Sequence, residues 1–354
     1  MATAVGTYVI ERFDLGALSE KDVRQIADLY NTLGQERVPE DPVPDPQIVI
    51  DRLRSRPTMM EFVEWLARSG TGDIVATGSL IAFKGDTNQR FREVGLSVLP
   101  DHRRQGIARR FLAEMLRSVD RDDLVLSFFT NARVPAGEAF VRRLGAGETL
   151  RARFSQLVLA DLDRGLTREW ARLDPAGYHL AWIDGDVPDR YVANVITAYE
   201  AMNTAPRGTS ALEDWHVTVE HVREFDRSRS AARRLRRLLL AIDDRTGETA
   251  GYTEVVYDPR TPHVVNQQGT AVIPSHRRRG LGKWVKAAML ERIVDEWPAA
   301  RLVRTGNASV NEPMLRINDR LGFRYAWESV QWEAGVPAVR RYLEAGANAG
   351  TAGA

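Results

Sequence analysis

The chain has 354 residues, 44% of them hydrophobic and 27% charged, with 49 Lys and Arg against 48 Asp and Glu. That balance excludes collagen-like, coiled-coil and largely disordered chains. It also suggests two domains of ordinary size and lacks the net positive charge of a dedicated nucleic-acid binder. There is no cysteine, so disulfides, thiolate metal sites and a cysteine nucleophile are excluded.

Residues 1–12 lack a basic start followed by an apolar run, and no window reaches the roughly 18 apolar residues of a membrane span. A cytoplasmic protein with no leader and no membrane contact is therefore expected. The first predicted strand covers residues 8–12 and a helix follows over 20–33. The loop 34–46 carries Pro39, Pro42, Pro44 and Pro46 among the acids Glu36, Glu40, Asp41 and Asp45, and the prolines stiffen it. Apolar runs at 61–67 and 74–83, joined by a glycine-containing turn, predict a hairpin. The segment 93–119 comes next. It is followed by a strand at 124–129, a helix ending at Leu144-Gly145, where glycine suits a helix C-terminus, and a closing strand at 154–159.

After a connecting stretch the same order recurs. A strand is predicted at 178–183 and a helix at 189–202. A loop at 202–208 contains Asn203 and Arg207, and a hairpin follows at 235–242 and 250–257. Residues 267–293 then repeat residues 93–119 at an offset of 174 with no gap and 10 of 27 positions identical, among them Pro100/Pro274, His102/His276, Arg103/Arg277, Arg104/Arg278 and Gly106/Gly280. A strand at 301–305, a helix ending at Leu321-Gly322 and a strand at 328–333 complete the second round. A repeat this long is a duplicated domain rather than a solenoid. The expected organisation is residues 1–160 and 175–340 joined by a linker, 161–174, with a small-residue tail, 341–354, expected to be disordered. The arginine-rich stretch 223–237 interleaves acids and is expected to be a solvated helix face. His216 and His221 lack zinc-site spacing, so no metal is expected.

The repeated segment is a strand, a short Arg-rich loop and a helix. The strands end at Pro100 and Pro274, because proline donates no ladder hydrogen bond. Glycines in the loop allow close backbone approach. The unpaired N–H groups and positive dipole of the following helix N-terminus make an anion site, most naturally for a pyrophosphate. It is neither a Walker loop nor a three-glycine dinucleotide fingerprint.

With Arg103, Gly106 and Ala108, and Arg277, Gly280 and Gly282, both halves resemble the GNAT acyltransferase superfamily, whose motif is Arg/Gln-x-x-Gly-x-Gly/Ala. The likeness covers nearly the whole chain as two tandem copies and extends to actinobacterial tandem members, mycothiol synthase and a clavulanic-acid-cluster acetyltransferase among them. The resemblance implies an α/β protein of two GNAT domains, each a mixed, largely antiparallel sheet flanked by helices. It implies acetyl-CoA as cosubstrate. The strand positions beside the pantetheine arm would be Val98 and Leu99, and Val272 and Ile273. The loop positions holding the pyrophosphate would be Arg104, Gln105, Gly106, Ile107, Ala108 and Arg109, and Arg278, Arg279, Gly280, Leu281, Gly282 and Lys283. Asn307, Asn311 and Asn318 would wall the second cofactor cleft.

Acyl transfer to an amine needs a neutral amine and a proton for the leaving thiolate. The tyrosine that supplies this proton in many relatives is absent; Val141 and Asn318 stand at its position. Glu93 occupies the usual base position of the first half and Gln267 that of the second, where Glu254 is the nearest carboxylate and Thr270 could position substrate. Asn203, Arg207 and Gln267 are candidate acceptor contacts. The expected activity is N-acetylation of a small amine, with the second half the likelier catalytic unit, as a monomer or homodimer. Alternatives are an aminoacyl-tRNA-dependent transferase and a non-catalytic acyl-CoA sensor.

Overall fold

The computed structural model describes residues 8–351. The chain forms two compact units. One comprises Met1–Arg151, Gly208–Glu213 and Ser329–Ala354; the other comprises Ala152–Arg207 and Asp214–Glu328. In chain order the elements of the first unit are β1 (Val9–Phe13), α1 (Glu20–Arg37), α2 (Pro46–Arg54), β2 (Met60–Arg68), β3 (Ile74–Phe83), β4 (Phe91–Val98), α3 (Ile107–Arg117), β5 (Val125–Asn131) and α4 (Pro135–Leu144). After β6 (Gly147–Val158), the second unit runs through α5 (Arg164–Ala171), β7 (Tyr178–Asp184), α6 (Val192–Glu200), α7 (Val219–Ala231), β8 (Leu235–Asp243), β9 (Thr249–Tyr257), β10 (Val264–Val272), α8 (Leu281–Glu296), β11 (Leu302–Ala308) and α9 (Glu312–Arg320). β12 (Arg324–Gly335) and α10 (Val336–Thr351) end the chain.

Local sequence explains the main elements. Ser19 caps α1 by accepting from the Asp22 amide, and Val23, Ile26 and Ala27 then recur at helical spacing to bury one face. α3 buries Phe111, Leu112, Met115 and Leu116 in the same way. Within the first unit β1 to β5 pair in sequence order, antiparallel except for β4 beside β5. In the second unit β7 to β11 repeat that order, with β10 and β11 parallel.

The closing strands differ from the sequence expectation. Residues 152–158 of β6 pair with β11 in the second unit, and residues 329–335 of β12 pair with β5 in the first. The two closing strands are thus exchanged between the halves. Val330, Trp332 and Ala334 consequently belong to the first unit's core with Phe111, Leu126 and Phe128. Trp332 donates Nε1–H to Thr130 Oγ1 at 2.9 Å, and the Arg142 guanidinium lies 4.7 Å over its ring.

The tail also differs. Residues 341–351, expected to lack structure, continue α10. Its first turns, over 338–345, are rich in the good helix formers Ala, Arg, Leu and Glu, and Val336 and Val339 anchor it in the core. Residues 352–354 lie outside the described residues. Among the described residues no helix is long and apolar enough to cross a membrane.

Candidate active site

Each half builds the same strand–loop–helix corner. Arg104 and Gly106 have φ of 62° and 80°, and Arg278 and Gly280 have φ of 65° and 84°. Two left-handed residues separated by one residue curl the loop so that successive amides converge. An arginine in that region carries strain of about 1 kcal/mol or more, the kind that persists where the backbone shape is used. Gly106 and Gly280 are the helix N-caps and offer no side chain. The amides of Ile107, Ala108, Leu281 and Gly282 therefore have no intrahelical acceptor.

The first motif arginine is structural in both halves. Arg103 Nε donates to the Val98 carbonyl and Arg277 Nε to the Val272 carbonyl, each at 3.1 Å. Arg103 also forks onto Glu36 in the last turn of α1, whereas Arg277 adds a single hydrogen bond, to Thr204 Oγ1 at 2.7 Å. The histidine of each loop is fixed by a tyrosine at the start of its unit's first strand: Tyr8, just before β1, with His102 at 3.0 Å, and Tyr178, the first residue of β7, with His276 at 2.9 Å.

The other loop positions divide. Arg104 and Arg278 are exposed. Gln105 accepts from Tyr8, Arg279 donates to Tyr178 at 2.8 Å, and Lys283 lies 5.0 Å over Trp170. Arg109 is bonded to the Leu343 carbonyl of α10.

A cleft opens beside each loop. β10 pairs with β11 only from Val264 to Asn266, and β4 with β5 only from Phe91 to Val94. Val98 and Val272, and Leu99 and Ile273 just beyond them, therefore lie where the parallel neighbours have parted. The Leu99 and Ile273 amides are spent on the Val75 and Ala250 carbonyls, and the Val98 and Val272 carbonyls accept from the motif arginines. That leaves the Val98 and Val272 amides, on the parted side, to pair with an extended amide-bearing ligand. In the second unit the wall is close: a Cβ on Gly282 would come within 3.3 Å of Ile317 Cδ1. Asn318 Nδ2 donates to Asn307 Oδ1 at 2.7 Å, and Asn318 Oδ1 is buried without a partner. Asn311 is the N-cap of α9. Open loop amides, a strand parted from its parallel neighbour and an orphaned buried acceptor fit a ligand carrying an anion at one end and amides along its length. Coenzyme A is such a ligand.

The two clefts differ at one point. Gln267 faces Val255 and Thr270 faces Thr253, so β10 spends one more residue than β9 over this stretch, a β-bulge. The β3–β4 pair of the first unit runs from Ala76↔Val98 to Ala82↔Arg92 without a shift. An extra residue turns side chains to the opposite face. Glu93 pairs with Ile81 on the face where Tyr30 of α1 reaches Thr77 at 3.2 Å. Gln267, its counterpart in the ungapped repeat, stands on the α8 face instead. It donates to Thr253 Oγ1 at 3.0 Å and to the Glu254 carbonyl at 2.7 Å. The expectation that Gln267 stands as Glu93 does is corrected accordingly. The Thr270 hydroxyl is 2.8 Å from that of Thr253.

Glu254 is on the α6 face. It accepts from the Tyr199 hydroxyl at 3.1 Å, with Arg236 Nε 3.7 Å away. Burial pushes its carboxyl above the usual range, against the pull of Arg236 and the Tyr199 hydrogen bond. Burial likewise raises Glu93, Tyr199 and Tyr252. Gly269, inside the bulge, is packed against the Tyr252 hydroxyl so closely that a Cβ could not be accommodated.

The remaining candidates serve the loops. Asn203 exchanges hydrogen bonds with the Trp215 backbone at 2.9 and 3.0 Å, and Arg207 is paired with Asp214. The stretch 223–237 is not a solvated face. Asp226, Arg229 and Arg236 are buried, and Arg236 bonds Asp226 at 2.8 Å, because these charges neutralise one another behind Glu254. His221 closes a capping box with Thr218 at the start of α7. Among the described residues no cluster of metal-ligating side chains is present. Sequence reading missed Tyr199, Asp226 and Lys286. The signal for Lys286 was a charge in the apolar stripe that Gly282, Met289, Leu290 and Ile293 define on α8.

The family model for the acetyltransferase (GNAT) family matches residues 23–146 and 195–323. Among solved structures, a tandem GNAT protein from the clavulanic acid biosynthesis pathway is similar at 27% identity and TM-score 0.76, covering 93% of this chain and 99% of that one. A GCN5-related N-acetyltransferase from Sphaerobacter thermophilus is similar in fold at 14% identity and TM-score 0.63, covering 93% and 96%. No curated protein matches in sequence.

Proposed function

The chain belongs to the acetyltransferase (GNAT) family, and we propose that it moves an acetyl group from acetyl-CoA directly to the amine of a small molecule, in its second unit. The observation that carries this assignment is the bulge between Gln267 and Thr270. It lies just where β10 has parted from β11, below a loop whose amides are open.

Each group then has a task. The amides of Arg278 to Gly282 would hold the pyrophosphate, with the exposed Arg278 adding charge. The end of β10 at Val272 and Ile273, where β11 has parted from it, with Asn307, Asn311 and Asn318 on the opposite wall, would receive the pantetheine arm. Acetyl-CoA supplies the activated thioester. Glu254 accepts the proton of the attacking amine, directly or through the Tyr199 hydroxyl that it already binds. Its raised pKa brings it nearer to that of an amine being deprotonated in the transition state. The acceptor enters from the α6 face, beside the loop stapled by Asn203.

The first unit is proposed as a second acetyl-CoA cradle that does not transfer. Its strand pair has no bulge. On the face of Glu93, the Glu333 carboxylate is held by the Ser210 hydroxyl at 2.5 Å and the Ala211 amide at 2.9 Å. The test is incubation of the full chain with acetyl-CoA and a panel of small primary amines, reading thiol release and acetylated product by mass. Product formation that Glu254→Gln abolishes and Glu93→Gln leaves intact supports the assignment. The reverse pattern moves the chemistry to the first unit. CoA binding with no product from any amine favours an acyl-CoA sensor.

A further inference from the structure

Lys286 is the one lysine in the described core: it is 1% exposed, and among the described residues no carboxylate pairs with it. Its Nζ lies 5.2 Å from the centre of the Phe323 ring. Its level along the sheet follows from the surroundings of Gly282. A Cβ on Gly282, four residues earlier on the same face of α8, would come within 3.3 Å of Ile317 Cδ1 and 3.7 Å of Val272 Cγ2. Four residues of helix descend about 6 Å, and two residues of strand, from Val272 to Thr270, about 6.6 Å. α8 runs back along β10, so Lys286 is level with the bulge, on the α8 face with Thr270, Thr253 and Gln267. Long helical side chains lean toward the helix N-terminus, here toward the anion loop. Glu254 is on the opposite face of the sheet at the same level.

We infer that the Lys286 ammonium gives its proton to the sulfur that leaves as the acetyl group is transferred, an inference that rests on the acetyl-transfer reading of the second unit. The amine nitrogen bonds the carbonyl carbon, and the carbon–sulfur bond breaks with its electron pair going to sulfur. The Lys286 proton neutralises the sulfur, and Glu254 takes the proton the amine loses. Atoms and charge balance, and solvent exchange resets both side chains. At this position the first unit has Leu112, packed in its apolar core.

The surroundings suit the task. Burial alone pushes Lys286 down, to about 7, close enough to a thiol for efficient proton transfer. On this face β9 and β10 present Thr253, Gln267 and Thr270, the titratable Tyr257, which stacks on Trp297 and is raised by burial, and otherwise apolar side chains. Of the charges of α5, Arg164 and Arg168 go to Glu291 and Glu169 is exposed; Arg237 of β8 goes to Glu296. On α9, Arg316 pairs with Glu312, Asp319 pairs with Arg153, and Arg320 is exposed. No neighbouring charge offsets the burial.

The test needs no acceptor. Free CoA is bound to the full chain and its thiol is titrated by ultraviolet thiolate absorbance, in wild type, Lys286→Met and Lys286→Leu, with binding checked by calorimetry. The expected result is a thiol pKa lowered by about one unit or more in the wild-type complex relative to free CoA, restored in both variants, with the CoA Kd changed less than about threefold. A thiol that titrates in wild-type complex as it does free overturns the role of Lys286 and leaves acetyl transfer standing. Wild type that binds no CoA overturns both. Should a variant fail to fold, the wild-type titration alone decides. In the amine assay, Lys286→Met should lose at least about tenfold in kcat together with the alkaline limb of the pH profile. Unchanged turnover and pH profile would also overturn the role.

Discussion

Ending the chain after Glu328 removes β12 residues 329–335 and α10, which the repeat pattern assigns to the second half but which pair with β5 of the first. Val330, Trp332, Ala334, Val336 and Val339 are all buried in the first unit's core. At about 1.5–3 kcal/mol for each large apolar side chain, their loss removes roughly 8–10 kcal/mol of burial. That approaches the whole stability of an ordinary domain, about 5–15 kcal/mol. The Trp332–Thr130 hydrogen bond and the β5 ladder are lost as well. Residues 1–160 alone are therefore expected to give no cooperative thermal transition and no near-ultraviolet circular dichroism. Adding residues 324–351 as a separate peptide should restore both. Trp332→Ala in the full chain should cost about 3–5 kcal/mol by denaturant unfolding. A fragment 1–160 that melts cooperatively at full-chain temperature would refute the exchanged-strand argument.

Lys286→Met should raise stability by several kcal/mol at pH 6 to 7, because a buried amine without a counter-charge is replaced by an apolar chain. The folded pKa of Lys286, about 7, lies below the ordinary 10.5. Between those values the unfolded chain binds the extra proton, so wild-type stability rises with pH there by up to about 1.4 kcal/mol per unit. The gap to Lys286→Met should narrow over that window; a pH-independent gap in paired denaturant titrations would contradict the burial argument. Glu254→Gln should lower kcat about a hundredfold or more. In wild type, activity should climb as pH rises through the raised Glu254 pKa, because only the carboxylate accepts a proton, and the variant should lose that limb. Arg103→Met breaks the fork onto Glu36 and should cost about 1–2 kcal/mol. Thr204→Val, which removes a single hydroxyl contact to Arg277, should cost less than about 1 kcal/mol in the same unfolding assay.

The loops were legible because their chemistry is local. Proline ends the strand, arginines follow at fixed spacing and glycine takes the left-handed cap, so two copies at one offset reveal both cradles. The strand exchange was not legible. β6 and β12 are both long strands of mixed polar and apolar residues following a helix and a Leu-Gly pair, and nothing in such a pattern names the edge it joins. The bulge was hidden because the repeat stays ungapped through it. Gln267 aligns with Glu93, yet one extra residue before Thr270 turns it to the other face. The ionic cluster of Asp226, Arg229 and Arg236 read as surface because charged residues are rarely buried unless paired, and the pairing is tertiary. Lys286 was visible as a break in an apolar stripe, but its depth depends on how closely Gly282 lets α8 approach α9.

The central claim is that the two loops are anion cradles for acetyl-CoA. Its most direct test is calorimetric titration of acetyl-CoA into wild type and into Gly280→Asp, Gly280→Asn, Gly106→Asp and Gly106→Asn. Both residues tolerate the left-handed backbone better than other side chains, so each pair differs mainly in one negative charge. A carboxylate about 6 Å from two phosphate charges, at an effective dielectric of about 40, is repelled by about 3 kcal/mol, or roughly a hundredfold in Kd. The expected result is binding at the second unit lost selectively in Gly280→Asp, with Gly280→Asn much less affected, and the same contrast at residue 106 for the first unit. Equal affinities for Asp and Asn at both positions, or no binding by wild type, would contradict it.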